Sequence, residues 1–434
     1  MKIAIIGAGF GGMAAAHDLV NAGHEVTIFE AAGSTGGLAS GFKEPHWNSS
    51  VEYFYHHWFA SDNAMLGLLD ELGLREKAVY RRPVTVMYHE GDFYQLDSPL
   101  SALTFPGFRF FDMVRFGLVT VYLRYLSGWK KFEKVTAHSW ILRYYGERLY
   151  RTQFEPLLVG KFGPHYQDVN MAWFWARFKV RTPRLGTYQG GFQQFADDFS
   201  RILQERGVKI MLNTPVQHIS QNESSGLTIT LPSGDENFDQ CLVTLSPGML
   251  ARLAPDLPAS YLQGLLQLKS MGAVVMVLAL SHKLSEKGYY WFNLPKSAGF
   301  PFLALVEHTN FVPPEEFGGD HILYLGDYLD ADHEYFSLSK EELLQRFLPS
   351  LARINPHFKP EWVKQSWLFR TQYAQPVPLV NHSVNIPEIR TPMQGLFFAS
   401  MSQVYPWDRG TNFAVKIARQ AARMMLEIQA PNEC

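Results

Sequence analysis

Apolar residues first gather in Lys2-Ile3-Ala4-Ile5-Ile6, a short run closed by glycine, which predicts a buried strand. They recur at the helical period from Met13 to Ala22, and Gly23 ends that helix as a left-handed cap. A second strand is predicted over Glu25 to Phe29, with Glu30 at its carboxyl end. The order then returns: Gly190-Gly191, a helix from Phe192 to Glu205, Gly207, and a strand from Val208 to Leu212 leading into Thr214-Pro215-Val216. Leu227 to Leu231 and Asn237 to Leu245, around Ser233-Gly234-Asp235, predict a hairpin. Met271 to Leu280, Phe302 to Glu307 and His321 to Tyr328 read as strands of a further sheet. Gly395 to Ser400 predicts a last strand, and Asn412 to Glu427 a last helix.

Between the first strand and helix stands Gly7-Ala8-Gly9-Phe10-Gly11-Gly12, a GxGxxG in a βα turn. Gly7 permits the tight turn, Gly9 lets the backbone approach a pyrophosphate, and Gly12 lets helix and strand pack closely. The phosphates then meet the positive end of the helix. Glu30 can accept hydrogen bonds from a ribose hydroxyl pair, which implies a free 2′-hydroxyl. The plain alternative is a glycine-rich turn without a ligand.

After five further residues beyond Glu30 comes Gly36-Gly37-Leu38-Ala39-Ser40. With this second glycine pair, the run from Lys2 to Ser40 resembles the FAD-binding signature of the amine oxidase, protoporphyrinogen oxidase and phytoene desaturase superfamily of FAD-dependent oxidoreductases. The resemblance implies FAD as cofactor, with Gly36, Gly37 and Leu38 against its pyrophosphate and ribityl chain and Val216 at its adenine. In most of the superfamily the last strand ends in Gly-Asp, whose carboxylate binds the ribityl chain. Here Ala399-Ser400 stands in that place, so Ser400 takes the position and Asp408 is the candidate for the missing carboxylate. A helix starting near Thr411 would aim its free N–H groups at the flavin C2 carbonyl. Ordinary helix capping is the other role open to Asp408 and Asn412.

The expected fold class is α/β: a three-layer, Rossmann-like FAD-binding domain with a parallel sheet, carrying an inserted α+β substrate domain. The FAD-binding domain is expected to comprise 1–77, 188–247 and 367–434, and the discontinuous substrate domain 78–187 and 248–366. The length of 434 residues agrees with two domains. No internal repeat stands out.

The balance of 39 Lys plus Arg against 41 Asp plus Glu gives no field that suits nucleic acid. Two cysteines, Cys241 and Cys434, make neither a disulfide framework nor a CxxC pair. The chain enters its first strand at once, leaving no room for a cleavable leader, and no apolar run reaches the length of a spanning helix. A cytoplasmic protein is expected. Residues 105–151 carry nine basic and three acidic residues with thirteen aromatics. Two readings stand: a peripheral membrane contact at an anionic lipid surface, or a helical aromatic core with a solvated basic exterior.

No second GxGxxG follows, so electrons are expected to leave to an external acceptor, oxygen or a quinone. Three polar groups are candidates for the catalytic site. Glu52-Tyr53-Phe54-Tyr55-His56-His57 offers His57, although neighbours on a strand face opposite ways and form a poor metal pair. Glu307-His308 ends a predicted strand, and Arg370-Thr371-Gln372-Tyr373 offers Tyr373. Arg409, in Trp407-Asp408-Arg409-Gly410, completes the set. No metal-ligand spacing is present. The expected reaction is removal of a hydride from a small, apolar or conjugated substrate, similar to protoporphyrinogen oxidases and desaturases. A non-redox isomerase or UDP-sugar mutase, and a flavin-binding protein without catalysis, are the alternatives.

Overall fold

The computed structural model describes residues 1–95, 101, 105–224 and 226–427; Cys434 lies outside them. Five parallel strands form one sheet in the order Lys209–Met211, Glu25–Phe29, Lys2–Ile6, Gln240–Val243 and Leu396–Phe398. The first strand lies between the second and Gln240–Val243, so the chain leaves its carboxyl end in one direction and returns on the other side. The crevice above such a switch point is where open α/β sheets bind ligands.

Helices Phe10–Asn21, Gly191–Glu205 and Thr411–Glu427 share one core with the sheet, joining Ile3, Ile5, Val26 and Ile28 to Met13, Phe195, Phe199 and Val415. On the other side Ala4, Ile6 and Phe29 pack with Ile219, Ile229 and Leu250, which belong to a three-stranded antiparallel sheet and to helix Pro247–Leu253. The result is the three-layer, Rossmann-like arrangement expected from the first thirty residues.

A seven-stranded mixed sheet is the second body of structure, in the order Val363–Pro376, Ser270–Leu280, His321–Leu329, Ala304–Glu307, Tyr289–Asn293, Val84–His89 and Asp92–Gln95. Its strand Ser270–Leu280 is covered on both faces, with Val274, Met276 and Leu278 in one core and Val275, Val277 and Ala279 in another. That explains why its sequence runs apolar without alternation. Helices Ala137–Tyr145, Glu155–Phe162 and Met171–Val180 build a separate aromatic core.

Most boundaries shift by a residue or two from the sequence expectation, and two differences have a specific cause. The first helix begins at Phe10, not Met13, because Gly9 is its extended N-cap and the last two glycines lie inside the first turn. The predicted second arm of the hairpin, Asn237 to Leu245, divides: Gly234–Phe238 pairs with Leu227–Leu231, while Gln240–Val243 joins the parallel sheet. Asp239 makes the break, its side chain accepting from the Lys2 amide at 2.6 Å and its own amide donating to the Lys2 carbonyl at 2.8 Å. Among the described residues no helix is long and apolar enough to cross a membrane.

Candidate functional site

The glycines of the first turn have separate structural reasons. At Gly7, where φ is +106°, an added Cβ would lie 2.6 Å from Thr244 Oγ1; at Gly12 it would lie 2.1 Å from the Gly7 carbonyl oxygen. At Gly11 it would lie 3.0 Å from the Ala414 carbonyl oxygen, so the last helix crosses the first at this point. Gly9 is different. Its Cβ would meet only the Gly37 Cα, 3.9 Å away, so packing of the chain does not demand glycine there. A group that must come close to the backbone does, and a pyrophosphate at the start of helix Phe10–Asn21 is such a group.

The second glycine pair closes this groove. The Gly36 amide donates to the Ala8 carbonyl at 2.9 Å, Gly9 and Gly36 form a parallel bridge, and half-buried Leu38 follows exposed Gly37. Phe10 is buried against Phe195, with ring centroids 4.7 Å apart. Glu30 stands at the end of the second strand, one carboxylate oxygen accepting from the Ala8 amide at 2.8 Å and the other from the Ala32 amide at 2.9 Å. Each oxygen keeps a lone pair for a ribose hydroxyl. The Thr214 amide donates to the Glu30 carbonyl at 2.8 Å, which brings buried Val216 to the same end of the sheet. The donors, the open Gly9 and the acidic residue fit the adenosine and pyrophosphate half of FAD.

At Gly11 the first helix packs on the last one, Thr411–Glu427, which residues 400–410 precede. Tyr373, on strand Val363–Pro376, brings its hydroxyl 2.8 Å from Ser400 Oγ and 2.7 Å from Ser402 Oγ, and accepts from the Ser402 amide at 3.0 Å. Thr411 Oγ1 accepts from the Trp58 indole at 3.0 Å. Asn412 does act as a cap, but for another helix: its Oδ1 accepts from the Ala64 and Met65 amides, in the first turn of Asn63–Glu71. Sequence position alone could not reveal that partner.

Asp408 is the hub of a charged cluster. Its Oδ2 accepts from Arg177 Nη1 at 2.8 Å and lies 3.8 Å from Lys161 Nζ, while Oδ1 accepts from the Trp173 indole at 3.1 Å. Burial opposes its ionisation, yet Lys161, Arg177, Arg409 and Arg181 together hold its carboxyl far below the usual range. Burial likewise holds the Lys161 ammonium well below its ordinary value, with Asp408 acting the other way. Arg409 donates from Nη2 to the Tyr328 hydroxyl and covers that ring.

His56 and His57 lie in irregular chain between Val51–Glu52 and Trp58–Phe59, so strand alternation does not govern them. Burial pushes His57 down to about 3, helped by Arg181, His56, Arg409 and Lys161, and pushes His56 down to about 4. Both rings are neutral at pH 7. The buried Nδ1 of His57 has no hydrogen-bond partner among the described residues.

Glu307 and His308 are placed differently from the other candidates. The Glu307 carboxylate is fully buried and accepts from the Leu284 amide at 2.6 Å, the Ser285 amide at 2.8 Å and Asn310 Nδ2 at 2.9 Å. Burial nevertheless pushes it up to about 7. His308 is buried against Phe317 and Tyr324 and pushed down to about 4. Elsewhere His17, Asp18 and Glu71 stand close enough to hold an ion, but the Arg419 guanidinium bonds both carboxylates at 2.8 to 2.9 Å.

Lys161, Trp173, Arg177, Arg181 and Tyr328 were not singled out from the sequence. A usable signal existed: Trp173, Arg177 and Arg181 recur every four residues along an otherwise aromatic helix, which puts an indole and two cations on one face.

The chain resembles known proteins along its whole length. Against the curated zeta-carotene desaturase of Synechocystis sp. it is 31% identical over 91 residues, 21% of this chain and only 18% of that protein. The fold is shared with a solved structure from Exiguobacterium sp. 255-15 assigned as a protoporphyrinogen oxidase, at a TM-score of 0.79 and 18% identity over 98% of this chain and 99% of that one. It is shared as well with reduced UDP-galactopyranose mutase, at 0.76 and 15% over 99% and 96%. At such identities these two likenesses speak for the fold alone. The sequence model of the family described as flavin containing amine oxidoreductase matches residues 10–426. With a groove that fits the dinucleotide and a family match over nearly all its length, the chain belongs to the flavin-containing amine oxidoreductases and has FAD as its cofactor.

Proposed function

We propose that the chain is an oxidoreductase that takes a hydride from a substrate with a large apolar part and passes the electrons to an external acceptor, oxygen or a quinone. One observation carries this reading: helix Phe10–Asn21, whose start at Gly9 fits the FAD pyrophosphate, packs at Gly11 on helix Thr411–Glu427, and beside the start of that last helix Trp173, Tyr328, His57 and Arg409 gather around Asp408. FAD, when bound, supplies the hydride acceptor. Aromatic side chains surround this region, and neutral His57 keeps a ring nitrogen, Nδ1, free to hydrogen-bond the substrate. Tyr373 positions Ser400 and Ser402 through its hydroxyl. Arg409 and Asp408 fix the loop that starts the last helix.

Glu307 and His308 are left out of this set, because the carboxylate holds the 284–285 turn and the imidazole sits in an apolar core. The separate cores of the two sheets support a division into an FAD-binding part and a substrate part, with the expected boundary at 366/367 moved, because strand Val363–Pro376 pairs as a whole with Ser270–Leu280 in the seven-stranded sheet. The test is an electron balance: anaerobic substrate bleaches the flavin, and a quinone or oxygen restores it with stoichiometric product. A product isomeric with the substrate, formed without any acceptor, would favour the non-redox alternative. That alternative draws some support from the cations around Asp408, which suit a phosphorylated substrate.

The second part of the proposal is a cytoplasmic enzyme resting on an anionic membrane surface. Helix Phe110–Val121 and the turn after it expose Phe110, Phe111, Leu118, Tyr125 and Leu126, each of them at least 68% exposed. At 100° per residue, most of these side chains project within an arc of about 100°. Leu123 is buried on the opposite side, so the segment has one packed and one uncovered apolar face. Arg124, Lys130 and Lys131 lie close by. Such a face suits the headgroup boundary of an anionic bilayer, from which an apolar substrate can enter.

A further inference from the structure

Four cations reach the neighbourhood of Asp408 from three stretches of chain: Lys161 from helix Glu155–Phe162, Arg177 and Arg181 from helix Met171–Val180 and its C-cap, and Arg409 from the loop before the last helix. Among the described residues Asp408 is the carboxylate that meets them, and it is already engaged by Arg177, Lys161 and the Trp173 indole. The other two cations feel Asp408 at a distance but make their direct contacts with neutral groups. Arg409 bonds the Tyr328 hydroxyl, and its buried Nε has no partner among the described residues. The Arg181 guanidinium lies over the Phe59 ring, 5.9 Å from its centroid, and is exposed. His57 Nδ1, also buried and unpartnered, faces the same cations.

Lys161, Arg177 and Arg409 are withdrawn from bulk water, where gathered cations with less than matching negative charge are costly and a bound anion removes that cost, while exposed Arg181 stands at the rim of the cluster. Guanidinium groups present planar forks that fit carboxylate and phosphoryl oxygens. The FAD pyrophosphate has its own place at Gly9 and is not needed here. We propose that Arg181, Arg409 and Lys161 form an anion-binding subsite that holds an oxyanion carried by the substrate, a carboxylate or a phosphoryl group, and so fixes the substrate beside the flavin. The inference rests on the reading that the flavin ring occupies the end of the groove nearest residues 408–411. An otherwise apolar substrate with one anionic end satisfies both the aromatic walls and the cations.

The test is titration of the FAD-loaded protein with inorganic pyrophosphate and, separately, with succinate, read by the change in flavin absorbance, with sodium chloride at matched ionic strength as control. A saturable response to one of them is expected, and Arg181→Gln and Arg409→Gln should each weaken it about tenfold with FAD content unchanged. Response to pyrophosphate assigns a phosphoryl group, and response to succinate a carboxylate. No response, a response that follows ionic strength alone, wild-type affinity in both variants, or release of FAD by the anion overturns the proposal. A chain purified without FAD contradicts the cofactor assignment before any anion is added. Calorimetry with the same two anions and variants then still decides the subsite.

Discussion

Arg177 Nη1 donates to Asp408 Oδ2 at 2.8 Å across 231 positions of sequence. The bond ties the aromatic helix Met171–Val180 to the loop that starts the last helix, and thereby joins the aromatic core to the FAD groove. Removing the charge should therefore be felt globally. Asp408→Asn keeps an acceptor for the Trp173 indole but leaves Arg177 and Lys161 without a counter-charge, at a cost of about 3–5 kcal/mol. Denaturant unfolding of the variant measures it. Replacing both partners, as Arg177→Met with Asp408→Leu, should cost less than the single change, because no isolated charge remains.

Gly9 and Gly12 should separate cofactor binding from folding. Gly12→Ala places a Cβ 2.1 Å from the Gly7 carbonyl oxygen, so the turn itself must deform and the apoprotein should lose thermal stability. Gly9→Ala meets only Gly37 Cα at 3.9 Å. Its apoprotein should unfold like the wild type while FAD affinity falls by at least about tenfold, since the new methyl stands where the pyrophosphate approaches. Melting temperature without FAD and FAD titration, read side by side, check both.

Acid stability should reflect buried neutral histidines. His56, His308 and His382 are pushed down to about 4 and His57 to about 3, burial being the first cause in each. A histidine with a lowered pKa binds fewer protons folded than unfolded, so its contribution is complete above its unfolded value near 6.5 and is lost as the pH falls toward 4. Glu307, raised to about 7, acts in the opposite sense, its contribution declining as the pH rises from about 4.5 to 7. All four histidines thus oppose Glu307 between about pH 4.5 and 6.5, and Asp62 and Asp327, each raised to about 6 by burial, act with Glu307. His308→Phe should lower the proton uptake on unfolding at pH 5 by about one, measured from the pH dependence of denaturant unfolding. An unchanged slope would mean that His308 is charged in the folded chain.

The uncovered helix face offers a clean comparison. Phe111 is 82% exposed and Leu118 68% exposed, so changing both to serine removes no packing from the core. Phe111→Ser with Leu118→Ser should leave the unfolding free energy within about 0.5 kcal/mol of wild type and abolish sedimentation with vesicles of phosphatidylserine and phosphatidylcholine. Retained sedimentation would move the lipid contact elsewhere.

The FAD half of the fold was legible because its constraints are local. A strand, a glycine turn, a helix and Glu30 lie within thirty residues, and each has one reason to be what it is. Strand Ser270–Leu280 was equally plain from its apolar run. The charged cluster was not, since Asp408 meets partners 231 and 247 positions earlier, and nothing in Trp407-Asp408-Arg409 names them. Asn412 shows the same limit: its residue type signalled a cap, but only the crossing of Asn63–Glu71 over the last helix decided which helix it serves. Glu307 read as an open strand end because sequence cannot show the 284–285 amides that enclose it. The helical segment 105–126 was ambiguous for a different reason, having apolar residues on two faces of which only one finds a partner.

The most direct test of the account is the absorption spectrum and cofactor content of the purified chain, followed by anaerobic reduction and reoxidation with oxygen and with a quinone. The account predicts a yellow protein with one FAD per chain, lost in Gly9→Ala, whose reduced flavin is reoxidised by one of the two acceptors. A colourless chain that takes up no FAD on incubation would contradict it and leave the Gly9 groove a scaffold without its ligand.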